Sequence, residues 1–161
     1  FVNAPGEVGA GKEVSVHLTC GETFLAERPM YFDYTGTGNW HWTGGHCVIG
    51  ATASADAWFF AEGYTGDGFE EWLCIQNPGD STANVTITYY PEGGGIPIVR
   101  KQPAIAANTR YTVYVNGSEQ AGPGLSISAK VASDQPVIVE RPMYFDFMGW
   151  TGGHDVVGYT P

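Results

Sequence analysis

The string ERPMYFD occupies residues 27–33 and occurs again at residues 140–146. A second string, WTGGH, occupies residues 42–46 and returns at residues 150–154. Residues 34–41 separate the two strings in the first copy, and residues 147–149 separate them in the second, so the first copy carries five extra residues, within residues 35–41. Repetition of several strings in the same order is typical of a repeated structural unit. We interpret the chain as two copies of one unit, of which the first is incomplete.

The repeat divides the chain unequally. Residues 1–50 correspond to residues 114–161, so they form a half-module that precedes a complete module at residues 51–161. The half-module has no counterpart of residues 58–113, so it cannot easily close its own sheet. Its missing strands must come from the complete module of the same chain or from a neighbouring molecule. The second arrangement is head to tail and builds a filament. A third possibility is that the chain is a piece of a longer tandem array.

Composition and charge exclude several classes of partner. The 161 residues include 23 Gly, and only 15% are charged, a balance usual in secreted β-proteins. The net charge of −10 argues against a nucleic acid or an anionic membrane as a partner. No apolar run approaches the roughly 18 residues of a membrane span, so we expect no membrane insertion. The chain begins at Phe1 without a basic-then-apolar leader, and we expect a processed, extracellular protein.

Short apolar runs bounded by turn residues predict an all-β chain with the strand spacing of a sandwich. Val85, Ile87 and Tyr89 alternate with other residues, which indicates a strand with one buried face. Pro29 and Pro142 interrupt the repeated strand, so we expect that strand at an edge or a bulge. The predicted strands are residues 13–20, 24–34, 58–62, 69–76, 83–90, 96–101, 110–116, 125–133 and 137–147.

Longer strings carry a resemblance to a known family. WFFAEGYTGDGFEEWLCIQNP at residues 58–78, ANVTITYY at residues 83–90, and ERPMYFDF followed by GWTGGHDVVGY resemble an immunoglobulin-like module found in tandem in large bacterial surface proteins. The resemblance covers nearly the whole chain. It implies an immunoglobulin-like β-sandwich and an extracellular, repetitive, non-enzymatic architecture, and it provides no catalytic residues. The sequence itself also lacks a nucleophile elbow or a phosphate-cradling glycine motif, so we expect no enzyme.

The repeat allows the cysteines to be compared between the copies. Cys20 aligns with Ser133 and Cys47 aligns with Asp155, so both thiols occur in the half-module and both are absent from the complete module. This joint loss predicts a Cys20–Cys47 disulfide, with Cys74 as a buried free thiol. A Cys47–Cys74 pair and an intermolecular bridge are the alternatives.

Five carboxylates are candidate Ca²⁺ ligands. Asp67, Glu70 and Glu71 form the densest acidic cluster, in a glycine-rich stretch, while Asp33 and Asp146 end the two copies of the repeated strand. Calcium takes six to eight oxygen ligands, and at a junction between modules it would relieve the repulsion between acidic subunits. The alternative is a solvated acidic turn.

The repeated strand and the insertion supply a candidate polymer interface, which comprises Glu27, Arg28, Met30, Tyr31, Phe32, Trp40 and Trp42. The leading hypothesis is an extracellular structural subunit that polymerises with copies of itself, head to tail, by inter-subunit β-strand complementation. One alternative is a carbohydrate- or surface-binding adhesin module that stacks a polysaccharide on Trp40, Trp42 or Trp58. Another is a passive spacer in a tandem array.

Overall fold

The computed structural model describes all 161 residues and contains nine β-strands and no helix, which confirms the predicted all-β class. It holds no helix with the length and apolar character needed to cross a membrane. The strands are β1 Glu27–Thr35, β2 His41–Ile49, β3 Ala55–Tyr64, β4 Phe69–Asn77, β5 Val85–Pro91, β6 Ile98–Lys101, β7 Thr109–Tyr114, β8 Ser126–Phe147 and β9 Trp150–Val157.

Seven of these strands form one antiparallel sheet, and the 22-residue β8 curls it around a core. The first half of β8 pairs with β3 and β5, and β6 lies outside β5. The second half pairs with β4 and β9, and β7 lies outside β4. Ile127 and Val139, from the two halves of β8, belong to the same cluster of 16 buried residues. The sheet therefore bends back on itself along β8.

Alternating apolar residues build this core, as the sequence predicts for β5. Val85, Ile87 and Tyr89 are all buried. Trp58 on β3 is buried with them, and its indole Nε1 donates a hydrogen bond to the carbonyl oxygen of Val137 at 2.8 Å. This bond satisfies the one polar group of the tryptophan inside the core.

Strands β1 and β2 form a separate two-stranded sheet, here called the N-terminal hairpin. Its register repeats that of β8 and β9: Phe32 lies opposite Gly44, and Phe145 lies opposite Gly152. A tight turn at Met148 and Gly149, with φ of 51° and 82°, joins β8 to β9. The N-terminal hairpin has a longer loop at residues 36–40, so the five extra residues of the first copy lie at its tip.

Turn geometry also repeats. In the first turn of the chain, the amide of Ala4 donates to the carbonyl of Phe1, and the amide of Glu7 donates to that of Ala4. The same two bonds recur at the equivalent positions of the second copy, between Tyr114, Gly117 and Gln120. The half-module therefore keeps the local structure of its complete copy wherever that structure needs only neighbouring residues.

One predicted strand is absent. Residues 13–25, here called the unpaired segment, form no strand, and their backbone makes no hydrogen bond to other backbone groups. Their counterpart in the complete module is the first half of β8, which pairs on both sides with β3 and β5. The half-module lacks both partner strands, so the expectation of a strand at residues 13–20 is wrong for this chain, and the strand expected from residue 24 begins only at Glu27.

The prolines of the repeated strand lie in different settings. Pro29 lies in β1, which pairs only with β2, so the expected edge position is confirmed. Pro142 instead lies in β8, which pairs with β4 and β9, so the predicted edge position is wrong for this residue. The β4–β8 pairing skips the positions between the Glu71–Met143 and Cys74–Glu140 pairs. The sheet therefore accommodates a residue without an N–H donor by leaving a gap in the ladder.

Candidate functional site

The N-terminal hairpin packs against the face of β8 and β9 that points away from the core. Alternation along β1 divides the predicted interface into two faces: Arg28 and Phe32 point to β8, whereas Glu27 and Tyr31 point outward. The ring of Phe32 meets that of Tyr144 edge-on, with centroids 5.1 Å apart. Tyr31 is 84% exposed. One face of the hairpin is thus used within the chain, and the other is free.

Arg28 joins the hairpin to two carboxylates. Its Nη1 donates to Glu140 Oε2 at 3.0 Å, and its Nη2 donates to Asp155 Oδ2. The Asp155 side chain is buried, and one of its oxygens has no partner. Burial, together with the charge of Glu140, raises the pKa of Asp155 to about 6, although Arg28 opposes this shift. The contact is an ion pair held partly out of water.

Trp42 fixes the tip of the hairpin. It is 0% exposed, stacks on Tyr34 with centroids 6.1 Å apart, and lies 5.8 Å from the ring of Tyr144. A Cβ at Gly36 would overlap the indole ring, so this position requires glycine. Met30 is half-buried under the same hairpin face.

The two neighbouring glutamates of the predicted calcium cluster point to opposite faces of β4, since successive residues of a strand alternate. Glu70 accepts a hydrogen bond from the amide of Gly38 in the hairpin loop, at 2.7 Å. Glu71 lies on the core side beside Gly63, with neither carboxylate oxygen bonded. Burial raises the pKa of Glu71 to about 7 although Arg141 opposes this shift, and burial also raises the pKa of Glu70. Neither carboxylate is presented to a cation in solution.

Asp67 lines the same open cleft as Glu70, whereas Asp33 and Asp146 lie apart from them. Asp67 is exposed in the loop before β4, Asp33 pairs with His41 Nε2 at 3.0 Å, and Asp146 lies near the end of β8. No three His, Cys, Asp or Glu side chains of the chain form a group that could hold a metal ion. A single copy therefore does not assemble the five candidate ligands, and calcium stays a prediction.

Two of the three tryptophans proposed for glycan binding cannot bind a sugar ring. Trp42 and Trp58 are 0% and 2% exposed, with their faces covered by protein. Trp40 is half-exposed and lines an open cleft of about 420 Å³ together with Asp67 and Tyr114. Of the three tryptophans proposed for glycan binding, only Trp40 is accessible to a sugar ring.

All three cysteines are free thiols, so the structure does not contain the predicted Cys20–Cys47 bond. Cys20 is exposed in the unpaired segment, and Cys47 is exposed on β2 opposite Pro29. Cys74 is half-buried, and burial raises the pKa of its thiol. Pairing under oxidising conditions stays a prediction.

The unpaired segment is the feature that sequence reasoning missed as a site. Leu18 is 57% exposed and Leu25 is 91% exposed, whereas Val131, the counterpart of Leu18, is fully buried. The same contrast holds along the segment: Val16 and Phe24 are exposed, and their counterparts Ala129 and Val137 are buried. The repeat alignment carried this signal, because every buried position of the first half of β8 has an apolar counterpart in a fragment without partner strands.

Residues 1–50 are attached to the rest of the fold by side chains. No backbone-to-backbone hydrogen bond joins residues 1–50 to residues 51–161. At the start of the unpaired segment, Glu13 Oε2 accepts hydrogen bonds from Arg110 Nη1 at 2.7 Å and from Thr112 Oγ1 at 3.0 Å. These contacts hold the start of the segment beside β7, where Val14 is half-buried, and leave Leu18 and Leu25 exposed.

The Glu71 carboxyl should lower the stability of the fold as the pH rises from 6.5 to 8. Glu71 has a folded pKa of about 7, above its ordinary value, so folding takes up a proton and the resulting stability is lost as the pH rises through 7. The expected loss is about 1 kcal/mol over this range. Asp155, with a folded pKa of about 6, loses most of its contribution below this window. His46 and His154, whose pKa values burial lowers, act in the opposite direction, and they offset part of this loss within the window because their unfolded forms still release protons above pH 6.5.

Urea unfolding of the wild type and of Glu71→Gln at pH 6.5, 7 and 8 measures this effect. Glu71→Gln should remove this loss, so its stability relative to wild type should rise by about 1 kcal/mol between pH 6.5 and 8, and Glu92→Gln, at an exposed position, should follow the wild type. Equal pH slopes for wild type and Glu71→Gln would contradict the assignment.

Comparisons with known proteins find a solved structure with a similar fold. The sequence matches no protein-family model and no curated protein. The crystal structure of Thermotoga maritima 1070 is similar, with 25% identity and a TM-score of 0.60 over 66% of this chain and 94% of that chain. The Anabaena sensory rhodopsin transducer has 26% identity and a TM-score of 0.48 over 57% of this chain and 99% of that chain. The chain thus shares an all-β fold of curled antiparallel sheets with the Thermotoga protein.

Proposed function

We propose that the chain is an extracellular structural subunit, built on an immunoglobulin-like sandwich, that assembles head to tail into a surface filament. Each half-module is completed by strands of the next copy. The observation that carries this proposal is the unpaired segment, whose apolar side chains are exposed although their counterparts are buried in the middle of a sheet.

An extended apolar segment without backbone partners is a ready template for pairing with another chain. The unpaired segment has the same alternation as the first half of β8, in which Ile127, Ala129 and Val131 are buried. Its exposed residues bury apolar area only if a partner strand lies alongside them, and that burial is favourable. Within one chain no strand pairs with these residues, so their apolar area stays exposed to water.

The packing of the N-terminal hairpin supports a head-to-tail geometry. The hairpin places its Arg28 and Phe32 face on the side of β8 that bears Tyr144. One copy of the repeat thus binds a different surface of the other copy. Contacts of this kind do not close into a symmetric dimer, and they generate filaments when they are repeated between molecules.

Electron microscopy and sedimentation of the untagged protein over a range of concentrations test the proposal. We expect ordered filaments whose amount grows with concentration. Leu18→Glu should abolish them, because it places a charge among the apolar residues of the unpaired segment. Thr19→Glu adds the same charge on the opposite face and should have a smaller effect.

Monomers under all conditions would overturn the proposal, as would equal assembly of the two variants. A parallel series with a calcium chelator tests the predicted metal. Loss of filaments would support calcium at the junctions, and their persistence would remove calcium from the proposal.

A further inference from the structure

We infer that the unpaired segment of one copy adds as a strand to the outer edge of β6 in the next copy. This inference rests on the proposed function and names the surface through which assembly proceeds. The partner is therefore a second copy of this chain, and the interface is a sheet extended from one molecule into another.

The sheet to which the segment's counterpart belongs ends at β6. The first half of β8 lies between β3 and β5, and β6 lies beyond β5. The outer edge of β3 is occupied at its centre, where Phe59 and Tyr159 exchange two backbone hydrogen bonds, at 2.8 and 2.9 Å. The outer edge of β6 has no backbone partner in the chain. It is the open end of this part of the sheet.

The register of β6 shows which of its backbone groups are available. Arg100 lies opposite Ile87, and the amide of Gln102 donates to the carbonyl of Val85, so these alternate residues of β6 bond to β5. The residues between them, Val99 and Lys101, therefore direct their N–H and C=O groups to the open edge. An incoming strand could therefore form backbone hydrogen bonds to every second residue of this edge.

Apolar side chains are exposed at and near this open edge. Ile96, just before β6, is 90% exposed, and Val99 is 54% exposed. The unpaired segment brings Val16 and Leu18, which are similarly exposed. Pairing of the unpaired segment with the β6 edge would remove apolar side chains of both copies from water.

Charge complementarity between the unpaired segment and β6 also favours this pairing. The chain carries only seven Lys and Arg residues, and two of them, Arg100 and Lys101, are adjacent on β6. The unpaired segment carries no Lys or Arg, and of its two glutamates Glu13 pairs with Arg110 of the same chain, whereas Glu22 makes no salt bridge there. In a chain of net charge −10, β6 is thus an edge where an acidic strand meets opposite charge.

Donor and acceptor lie on different parts of the fold. Glu13 holds the start of the segment beside Arg110 of β7, which borders the half of the sheet built on β4. The β6 edge borders the other half. A contact between such different surfaces repeats along a line instead of closing between two copies.

A proline at the open edge tests the inference. Val99→Pro removes the backbone donor that points to the edge and spares the bonds to β5, since edge positions tolerate proline. Val99→Ala is the matched control, because it keeps that donor. The probe is a labelled peptide of residues 12–26 with Cys20→Ser, added to dilute protein and followed by fluorescence anisotropy, with a scrambled peptide as the negative control. Filament formation is measured on the same variants.

We expect the peptide to bind wild type and Val99→Ala with affinities within about threefold, and to bind Val99→Pro at least about tenfold more weakly. Val99→Pro should also fail to form filaments while retaining the circular dichroism of Val99→Ala. Should Val99→Pro misfold, Lys101→Glu keeps the backbone intact and should weaken peptide binding severalfold at low salt. Equal peptide binding to the edge variants and wild type would overturn the inference.

The outcomes separate this inference from the proposed function. Filaments of wild type that persist in Val99→Pro and Lys101→Glu would exclude the β6 edge and leave head-to-tail assembly standing. Absence of filaments in wild type would overturn the proposed function and this inference together.

Discussion

Trp42→Ala should release the N-terminal hairpin from the sheet and leave the core folded. Trp42 is fully buried between Tyr34, Tyr144 and the loop at Gly36. Removing a buried tryptophan typically costs about 3–5 kcal/mol. No backbone-to-backbone hydrogen bond compensates for this loss, because none joins the hairpin to residues 51–161.

Hydrogen exchange measured by mass spectrometry checks this result. Residues 27–49 should lose protection in Trp42→Ala, and residues 58–139, which contain the whole core cluster, should keep it. Trp40→Ala, at a half-exposed position of the same loop, is the control and should change protection much less. Unchanged protection of the hairpin in Trp42→Ala would contradict the packing, and so would loss of protection throughout the chain.

Trp58→Ala should destabilise the entire molecule. The side chain is buried in the core cluster, and its indole bonds the carbonyl of Val137 in β8, the strand on which both halves of the sheet depend. The substitution leaves a cavity and an unpaired buried carbonyl, with an expected cost of about 4 kcal/mol or more. Such a loss is a large part of the stability of a typical domain.

Chemical denaturation followed by circular dichroism measures this loss. Trp150→Ala is the matched control, because that indole is 75% exposed, and its effect should stay within about 0.5 kcal/mol. A single cooperative transition shifted to much lower denaturant is expected for Trp58→Ala. A loss below about 1 kcal/mol would contradict the central position of Trp58.

Features that depend on local pattern could be predicted from the sequence. The alternation of Val85, Ile87 and Tyr89 specified a strand with one buried face. The unequal spacing of the repeated strings located the insertion within residues 35–41, and the structure places it at the tip of the N-terminal hairpin. These conclusions required no knowledge of distant partners. The all-β class followed from many such patterns acting together.

Features that depend on distant partners could not be predicted in the same way. Residues 13–20 have the pattern of a strand, but a strand exists only beside another, and the half-module provides none. The position of Pro142 inside the sheet depends equally on the path of β8. Glu70 and Glu71 are different: the predicted strand at residues 69–76 already implied that their side chains point to opposite faces.

The half-module is attached without any backbone-to-backbone hydrogen bond, and this has a mechanical consequence. A chain pulled from its two ends would first peel away the N-terminal hairpin, because separate side-chain contacts break one after another, whereas paired strands resist together. Once β1 and β2 also separate, about 170 Å of extended chain would become available before the core carries the load. In the proposed filament, the half-module would then act as an extensible coupling between neighbouring copies.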